Sequence, residues 1–512
     1  MCGIVAVWGR SEKPLAERML ARISHRGPDD SGVETFGRGV VAQARLSILD
    51  LTGGHQPMYN EAGNLVVAFN GEIYNHLSLR RRLEGRHTFR TRTDTEVLLH
   101  LYEEEGEDML PLLDGMFAFA MAGARGLLLA RDPLGIKPFY YGRSGDLVLA
   151  ASEVKAFPEM DEIHMLPAGH FLVIGSRDPY AREELPAPRA FRSPTDVVPF
   201  ISVPDLPEIL AELRHRVKEA VVKRLMSDVP VGVFLSGGLD SSIIAAFMRP
   251  HTLALHSFTT GMPGAPDLRA AREVADALGT EHHELVYTEQ DVLDALPQVI
   301  RHLESFDAPL VRSAIPNFFL ARLASKHVKV ALSGEGADEL FAGYAYLADK
   351  GSGTGLREEL DRITDRLQDT NLQRGDRMTM AFGLEGRVPF LDLGLVRYVA
   401  RLPVEILAPG PGRLEKFLLR EACRGLLPPG ILSRRKLKFS EGAGSSTVLA
   451  ALAARTISQE EFAAEREPSP GVYLRSPEEL LYYRIWRQAF GQSVPLGLVG
   501  RTRDPAAAAG AT

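Results

Sequence analysis

The 512-residue chain is 45% hydrophobic, carries a formal net charge of −7 and contains two cysteines. That length exceeds one compact core and implies two or three domains, and the acidic balance speaks against a dedicated nucleic-acid or anionic-membrane partner. Two thiols leave no disulfide framework and no zinc-type cluster; with no apolar run near the roughly 18 residues of a membrane span and no signal peptide, the expected compartment is the cytoplasm.

The chain opens Met1-Cys2-Gly3. Removal of Met1 makes Cys2 the N-terminal residue, with a thiol and an α-amino group on one carbon skeleton. The amine titrates at about 7.7–8.0 and a free thiol at about 8.5, so the pair is a complete nucleophile and base. Chance would place a cysteine there in roughly one such chain in 250. Residues 65–69 form an apolar run, followed by Asn70-Gly71-Glu72 as a loop leaving a strand would be; Asn-Gly is also a strong hairpin-turn signal. Asp94 precedes Val97, Leu98, Leu101 and Tyr102 at helical spacing, so an N-cap is its plainest structural role. Short strand-like runs with Gly and Asn turns dominate up to about residue 177, which suggests stacked antiparallel sheets.

The opening resembles the N-terminal-nucleophile glutamine amidotransferases, whose thiolate forms a thioester with glutamine and releases ammonia. His25-Arg26-Gly27-Pro28-Asp29 matches the family's turn beside the nucleophile, and Ala44-Arg45-Leu46-Ser47-Ile48-Leu49-Asp50 its glutamine-binding stretch. The resemblance implies that Arg45 holds the glutamine carboxylate, with Leu46, Ser47, Ile48, Leu49 and Glu72 around the substrate. It further implies that Asn70 and Gly71 supply the oxyanion hydrogen bonds and that Asp94 binds the glutamine amino group.

A seam follows from about 177 to 206, where Pro179, Pro186, Pro188, Pro194, Pro199 and Pro204 oppose helix and sheet alike. Leu210, Leu213, Val217, Val221 and Leu225 then mark an amphipathic helix. Strand-like runs at 231–235, 253–259, 283–287 and 328–332 alternate with helical ones, which predicts βαβ units and a parallel sheet. The region after Tyr346 reads as mainly helical, with Cys423 a buried core thiol in a helical stretch. The expected divisions are 2–185, a linker at 186–205, a second domain at 206–500, and a tail from 501 with nothing to bury.

The first of these strands ends in Leu235-Ser236-Gly237-Gly238-Leu239-Asp240-Ser241-Ser242. Backbone N–H groups of such a loop, with the helix that follows, form a concave anion site. No Gly-Lys-Ser/Thr follows, so it is not a γ-phosphate-transfer loop. Ser333-Gly334-Glu335-Gly336-Ala337-Asp338-Glu339 follows the strand expected at 328–332, and the two loops should meet at the carboxyl edge of the sheet. Acidic groups there next to a triphosphate would clash unless Mg²⁺ neutralised them, which makes Asp240 and Asp338 the candidate metal ligands. Taken alone, Glu335, Asp338 and Glu339 would read as a solvated acidic turn.

The string 236–242 resembles the pyrophosphate loop of enzymes that split ATP between its α and β phosphates. With the first half it covers nearly the whole chain and resembles the glutamine-dependent asparagine synthetases. That resemblance implies an Ntn-hydrolase-like αββα first domain and an α/β ATP-pyrophosphatase second domain with a helical C-terminal part. It implies ATP bound by Leu235, Ser236, Gly237, Gly238, Asp240, Ser241, Thr260, Ser333 and Gly334. It also implies that Lys416 assists adenylate chemistry, that Arg312 and Glu335 meet the acceptor, and that ammonia travels through an internal tunnel. Glutamine, ATP and aspartate are the implied substrates, and a homodimer is compatible with it. Departures fall around the acceptor: Pro309 and Leu310 stand where bacterial members carry a Thr-Thr pair, and Lys436-Leu437-Lys438-Phe439-Ser440-Glu441-Gly442 replaces the usual Lys-Glu-Gln-Phe-Ser-Asp-Gly. The leading expectation is aspartate amidation, the alternative being the same chemistry on another carboxylic acid. A β-lactam-forming synthetase would not need Cys2, Arg45, Asn70 and Asp94, and a glutamine sensor would not need the second site.

Overall fold

The computed structural model describes residues 2–175, 185–195, 197, 200, 204–351, 353–408, 413–435, 437, 439–491 and 494–502. The first half is a sandwich of two antiparallel sheets. One runs, in spatial order, Glu162–Met165, Tyr140–Ser144, Leu147–Ala151, Gly3–Trp8, Gly39–Arg45 and Asp30–Phe36. The other runs Arg189–Ala190, His170–Gly175, Gly126–Arg131, Gly115–Gly123, Leu65–Ile73 and Met58–Tyr59.

Alternation along the first strand explains the layering. Ile4, Ala6 and Trp8 point between the sheets toward Val66, Ala68 and Ala120, while Val5 and Val7 meet Ala16 and Met19 of the helix Lys13–Arg22. Helix Glu96–Glu105 covers the outside of the second sheet through Val97, Leu98 and Leu101. Both faces of the inner strands Gly3–Trp8, Gly39–Arg45, Gly115–Gly123 and Gly126–Arg131 are buried, which is why their sequences read as nearly unbroken apolar runs. This is the expected αββα order.

The structure departs from the sequence expectation at two places. Asn70-Gly71-Glu72 is not a loop or a hairpin turn: the strand continues through Ile73, with Asn70 opposite Ala118 and Gly71 opposite Phe117. Gly71 is needed for close approach instead, because a Cβ there would lie 2.0 Å from the Met116 carbonyl oxygen. The proline-rich seam is not free of sheet either, since Arg189–Ala190 pairs with His170 and Phe171 as an edge strand. Pro179 and Pro199 lie outside the described residues.

Helix Leu206–Lys223 leads into the second half, its Ile209, Leu213, Val217 and Val221 buried. The parallel sheet there runs Glu281–Val286, His256–Gly261, Val231–Phe234, Val330–Leu332 and Glu385–Arg387. Its first four strands fall where the alternation placed them, shifted by up to three residues; the fifth, short and charged, carries no strand signal in sequence. Chain order reverses beside Val231–Phe234, so the loops after that strand and after Val330–Leu332 flank the switch point, where open α/β sheets bind ligands. Most of the rest is helical, and Cys423 is buried at the end of the helix Phe417–Ala422, its thiol pushed up to about 12 by burial.

The tail is anchored at its start. Arg501 Nη2 donates to Glu479 Oε2 at 2.6 Å, and Thr502 N and Oγ1 donate to Asp307 at 3.0 and 2.9 Å. Residues 503–512 lie outside the described residues. One apolar core spans both halves, joining Leu46, Ile48 and Met116 to Val233, Leu332 and Phe390.

Candidate active sites

Strand Gly3–Trp8 sits inside the first sheet, so its head holds Cys2 in the interior. Cys2 N donates to Asn70 Oδ1 at 2.9 Å across the sandwich, and Arg26 Nε donates to Cys2 O at 3.0 Å. Burial pushes the Cys2 thiol up, opposed by the charge of the chain's amino terminus, a backbone hydrogen bond from Leu46 and the Arg45 charge. Cys2, Asn70 and the Arg45-Leu46 segment are therefore brought together.

Asn70 Nδ2 and Glu72 Oε2 are buried without a hydrogen-bond partner. An unmet buried polar group costs about 1–3 kcal/mol, so two of them on the strand whose Asn70 bonds Cys2 mark a place for a polar ligand. Arg45 turns its guanidinium onto the carbonyls of Leu49 and Asp50 at 3.1 and 2.8 Å, closing the loop around Ser47 and Ile48. Gly54 permits that, since a Cβ there would lie 2.2 Å from Arg45 Nη2. Ser47 N donates to Asp29 Oδ2 at 2.7 Å. Asp94 is not a helix cap: Thr95 occupies that position, and Asp94 Oδ2 accepts from Ile73 N at 2.7 Å, tying its loop to the strand that carries Asn70.

Sequence reading missed the polar residues that join the halves. Arg26, fully buried, donates to Glu153 Oε1 at 2.6 Å and to both Asp376 oxygens at 2.8 and 3.1 Å. Arg377 Nη2 donates to Glu304 Oε2 at 2.9 Å, and Glu304 accepts from the backbone N–H of Val154 and Lys155. Arg387 lies 3.1 Å from Glu72 Oε1 and 2.5 Å from Glu385 Oε1. Burial and the Glu385 charge push the Glu72 carboxyl well above its ordinary range, Arg387 opposing them. Arg26 stands inside the quoted turn motif, so its burial had a faint signal; its partner 350 residues away had none.

The second site is an open cleft at the carboxyl ends of the parallel strands. Ser236, Gly238, Asp240, Ser241, Thr260, Ser333, Gly334, Glu335, Asp338 and Lys416 all line it, as does Leu235. Gly237 has φ +67°, and a Cβ there would lie 2.3 Å from Ala270 C, so the loop can turn only with glycine at that point. At Gly334 a Cβ would lie 2.9 Å from Asp240 Cβ: the two loops touch, as expected. Lys416 holds φ +58°, rare for a side-chain-bearing residue, and reaches Asp240 Oδ2 at 2.5 Å and Asp338 Oδ1 at 2.7 Å. Burial and the Asp338 charge push Glu339 up to about 7. Arg420, Arg434 and Arg435 also line the cleft and went unnoticed in sequence, where they look like surface charges.

Around the acceptor the residues separate. Glu335 lines the cleft and accepts from Arg374 Nη2 at 2.5 Å. Arg312 is not among the lining residues; its Nε donates to Glu478 Oε1 at 2.8 Å, and Tyr482 Oη donates to that same oxygen at 2.6 Å. Pro309 is exposed and Leu310 is packed in the helical core, so the loss of two hydroxyls there does not strip the cleft wall. Leu437 and Phe439 line the cleft; Lys436 and Lys438 lie outside the described residues.

Residues 1–172 match the glutamine amidotransferase domain family, and residues 212–359 and 348–494 match asparagine synthase. The chain is 41% identical over 476 residues to asparagine synthetase [glutamine-hydrolyzing] 3 of Arabidopsis thaliana, covering 88% of this chain and 80% of the relative. It is 40% identical to the asparagine synthetase [glutamine-hydrolyzing] of Sandersonia aurantiaca, covering 88% of each. It is 38% identical over 521 residues to the root asparagine synthetase [glutamine-hydrolyzing] of Pisum sativum, covering 96% of this chain and 87% of the relative.

Proposed function

The chain belongs to the glutamine-hydrolysing asparagine synthetases, and we propose on that premise how its residues divide the reaction. Cys2, freed by loss of Met1, attacks the side-chain amide carbon of glutamine; its own amine takes the thiol proton and passes it to the departing ammonia. Asn70 and Gly71 face the developing oxyanion, while Arg45, the 46–49 segment, Glu72 and Asp94 hold the substrate's ends. Water then releases glutamate from the thioester.

In the cleft, an oxygen of the aspartate side-chain carboxylate attacks the α-phosphorus of ATP and pyrophosphate leaves. Ammonia displaces AMP from the resulting acyl-adenylate to give asparagine. The 235–241 loop, Thr260, Ser333 and Gly334 hold the nucleotide, Lys416 offsets charge, and Glu335 positions the acceptor. Asp240 Oδ1, buried without a partner, fits an oxygen-ligated cation; Asp240 and Asp338 would hold Mg²⁺, which when bound screens the triphosphate. The observation that carries this reading is the pair of orphaned groups, Asn70 Nδ2 and Glu72 Oε2, on the strand whose Asn70 bonds Cys2, with Glu72 joined through Arg387 to the sheet that builds the cleft. Incubation with glutamine, ATP and aspartate should yield asparagine, glutamate, AMP and pyrophosphate together. ADP and phosphate in place of AMP and pyrophosphate would overturn the adenylate route.

A further inference from the structure

At the opposite end of the parallel sheet from the cleft, three metal-ligating side chains converge. His256 opens one strand and Glu281 opens its neighbour, and the parallel register pairs His256 with Glu281 and Phe258 with His283. His256 Nδ1 lies 3.1 Å from His283 Nε2 and 3.3 Å from Glu281 Oε2. The three donor atoms all lie within 4.8 Å of one another. Two ligand atoms about 2.0–2.1 Å from a zinc-sized ion, at angles between octahedral and tetrahedral, stand about 2.9–3.4 Å apart. Both short separations fall in that interval.

The surroundings hold this geometry and leave it reachable. The buried Phe258 ring stacks on His283 at 5.1 Å and 17°. Gly232 on the next strand makes room for that ring, since a Cβ there would come within 2.6 Å of it. His256 and His283 are half-buried and Glu281 is exposed, which leaves positions for water. His327, on the segment entering the next strand, places its ring centroid 4.0 Å from that of His283.

We propose that His256, His283 and Glu281 form a binding site for a zinc-class divalent metal ion that clips two strands of the sheet, separate from the nucleotide cleft. Imidazole donors select this class over Mg²⁺, which takes oxygen ligands. Sequence spacing conceals the site, because strand pairing and not a local motif assembles it.

The test uses the full chain carrying Cys2→Ala, so that the nucleophile's thiol does not compete, after treatment with a chelator. Co²⁺ absorption and Zn²⁺ competition calorimetry should show about one ion per chain with a submicromolar Kd, and Zn²⁺ should raise the Tm. His256→Ala and His283→Ala should each weaken binding by about a hundredfold and abolish the Tm rise. Glu281→Gln, at an exposed position, should weaken it by about tenfold without endangering the fold. His87→Ala, in the separate Glu61, His87 and His100 cluster, should leave it unchanged. Zn²⁺ affinity and stoichiometry preserved in a folded His256→Ala/His283→Ala chain would overturn the proposal, as would no binding tighter than about 100 μM.

Discussion

Lys416 and Asp240, 176 residues apart in the chain, form a buried ion pair with Nζ 2.5 Å from Oδ2. The same ammonium lies 2.7 Å from Asp338 Oδ1, so one cation serves two carboxylates at the mouth of the 235–241 loop. Asp240→Asn should lower pyrophosphate release by at least about tenfold, roughly 1.4 kcal/mol of transition-state stabilisation, with glutamine hydrolysis spared. Lys416→Met should lower it further and also cost stability, since breaking a buried pair typically costs about 3–5 kcal/mol. Pyrophosphate assays alongside thermal unfolding separate the two effects. Unchanged pyrophosphate release in Asp240→Asn would remove Asp240 from the nucleotide site.

Cys2→Ala should abolish glutamine-dependent asparagine formation and leave synthesis from ammonium salts within about twofold, because the two chemistries occupy different sheets. Retention of Met1 should act the same way, as an acylated nitrogen cannot take the thiol proton. Loss of both activities in a folded variant would contradict the division of labour.

Arg26 touches Cys2 O on one side and Asp376 on the other, which makes it a direct polar link from Cys2 to the second half. Asp376→Asn keeps the shape and removes the charge that Arg26 faces. It should raise the glutamate formed per AMP above one, by about twofold or more, while ammonium-dependent synthesis persists. A ratio of one in a destabilised variant would make the contact purely structural.

Much of this was legible in the chain itself. Alternation at 231–235 and 328–332 places two strands, and the loops that follow could be read as anion cradles, because backbone geometry needs glycine at fixed points. What escaped was whatever depends on a distant partner. Asn70-Gly71 reads locally as a turn, and only the Met116 carbonyl across the sheet shows why glycine stands there. Glu385–Arg387 reads as loop because its charges look solvated in sequence, whereas in the fold Arg387 pairs with Glu385 and with the remote Glu72. Arg374, which meets Glu335, sits in a helix with no motif to announce it.

Asp392 offers a test by pH. It caps the helix Leu393–Arg401 through the N–H groups of Gly394 and Leu395, and it pairs with Arg224 and Lys223. Burial raises its carboxyl, but Arg224 and Lys223 outweigh that and pull it down to about 2. A carboxyl depressed on folding stabilises above its unfolded value of about 3.9 and loses that contribution as pH falls toward 2, here about 2 kcal/mol. Asp392→Asn should therefore lower stability at pH 7 and flatten its dependence between about pH 4 and 2. Chemical denaturation across that range checks it; equal slopes in both proteins would refute the assignment.

The acceptor end separates Glu335 from Arg312. Glu335 lines the cleft, with Arg374 fixing its carboxylate and glycines on either side giving the backbone its shape. Glu335→Gln keeps the volume and removes the charge, so synthesis should fall by at least about tenfold, or 1.4 kcal/mol, with glutaminase activity retained. Arg312, which the family resemblance implies meets the acceptor, is held by Glu478 and stands outside the cleft lining. To act on the acceptor it must exchange that carboxylate for the substrate's, a like-for-like swap that a bidentate guanidinium can make. Arg312→Ala should then raise the KM for aspartate by about tenfold or more with little change in kcat. Glu478→Gln, which loosens the competing pair, should lower that KM. An unchanged KM in both variants, with a lower Tm in Arg312→Ala, would assign Arg312 to anchoring the helix Pro477–Phe490 and leave recognition of the acceptor to the cleft residues around Glu335.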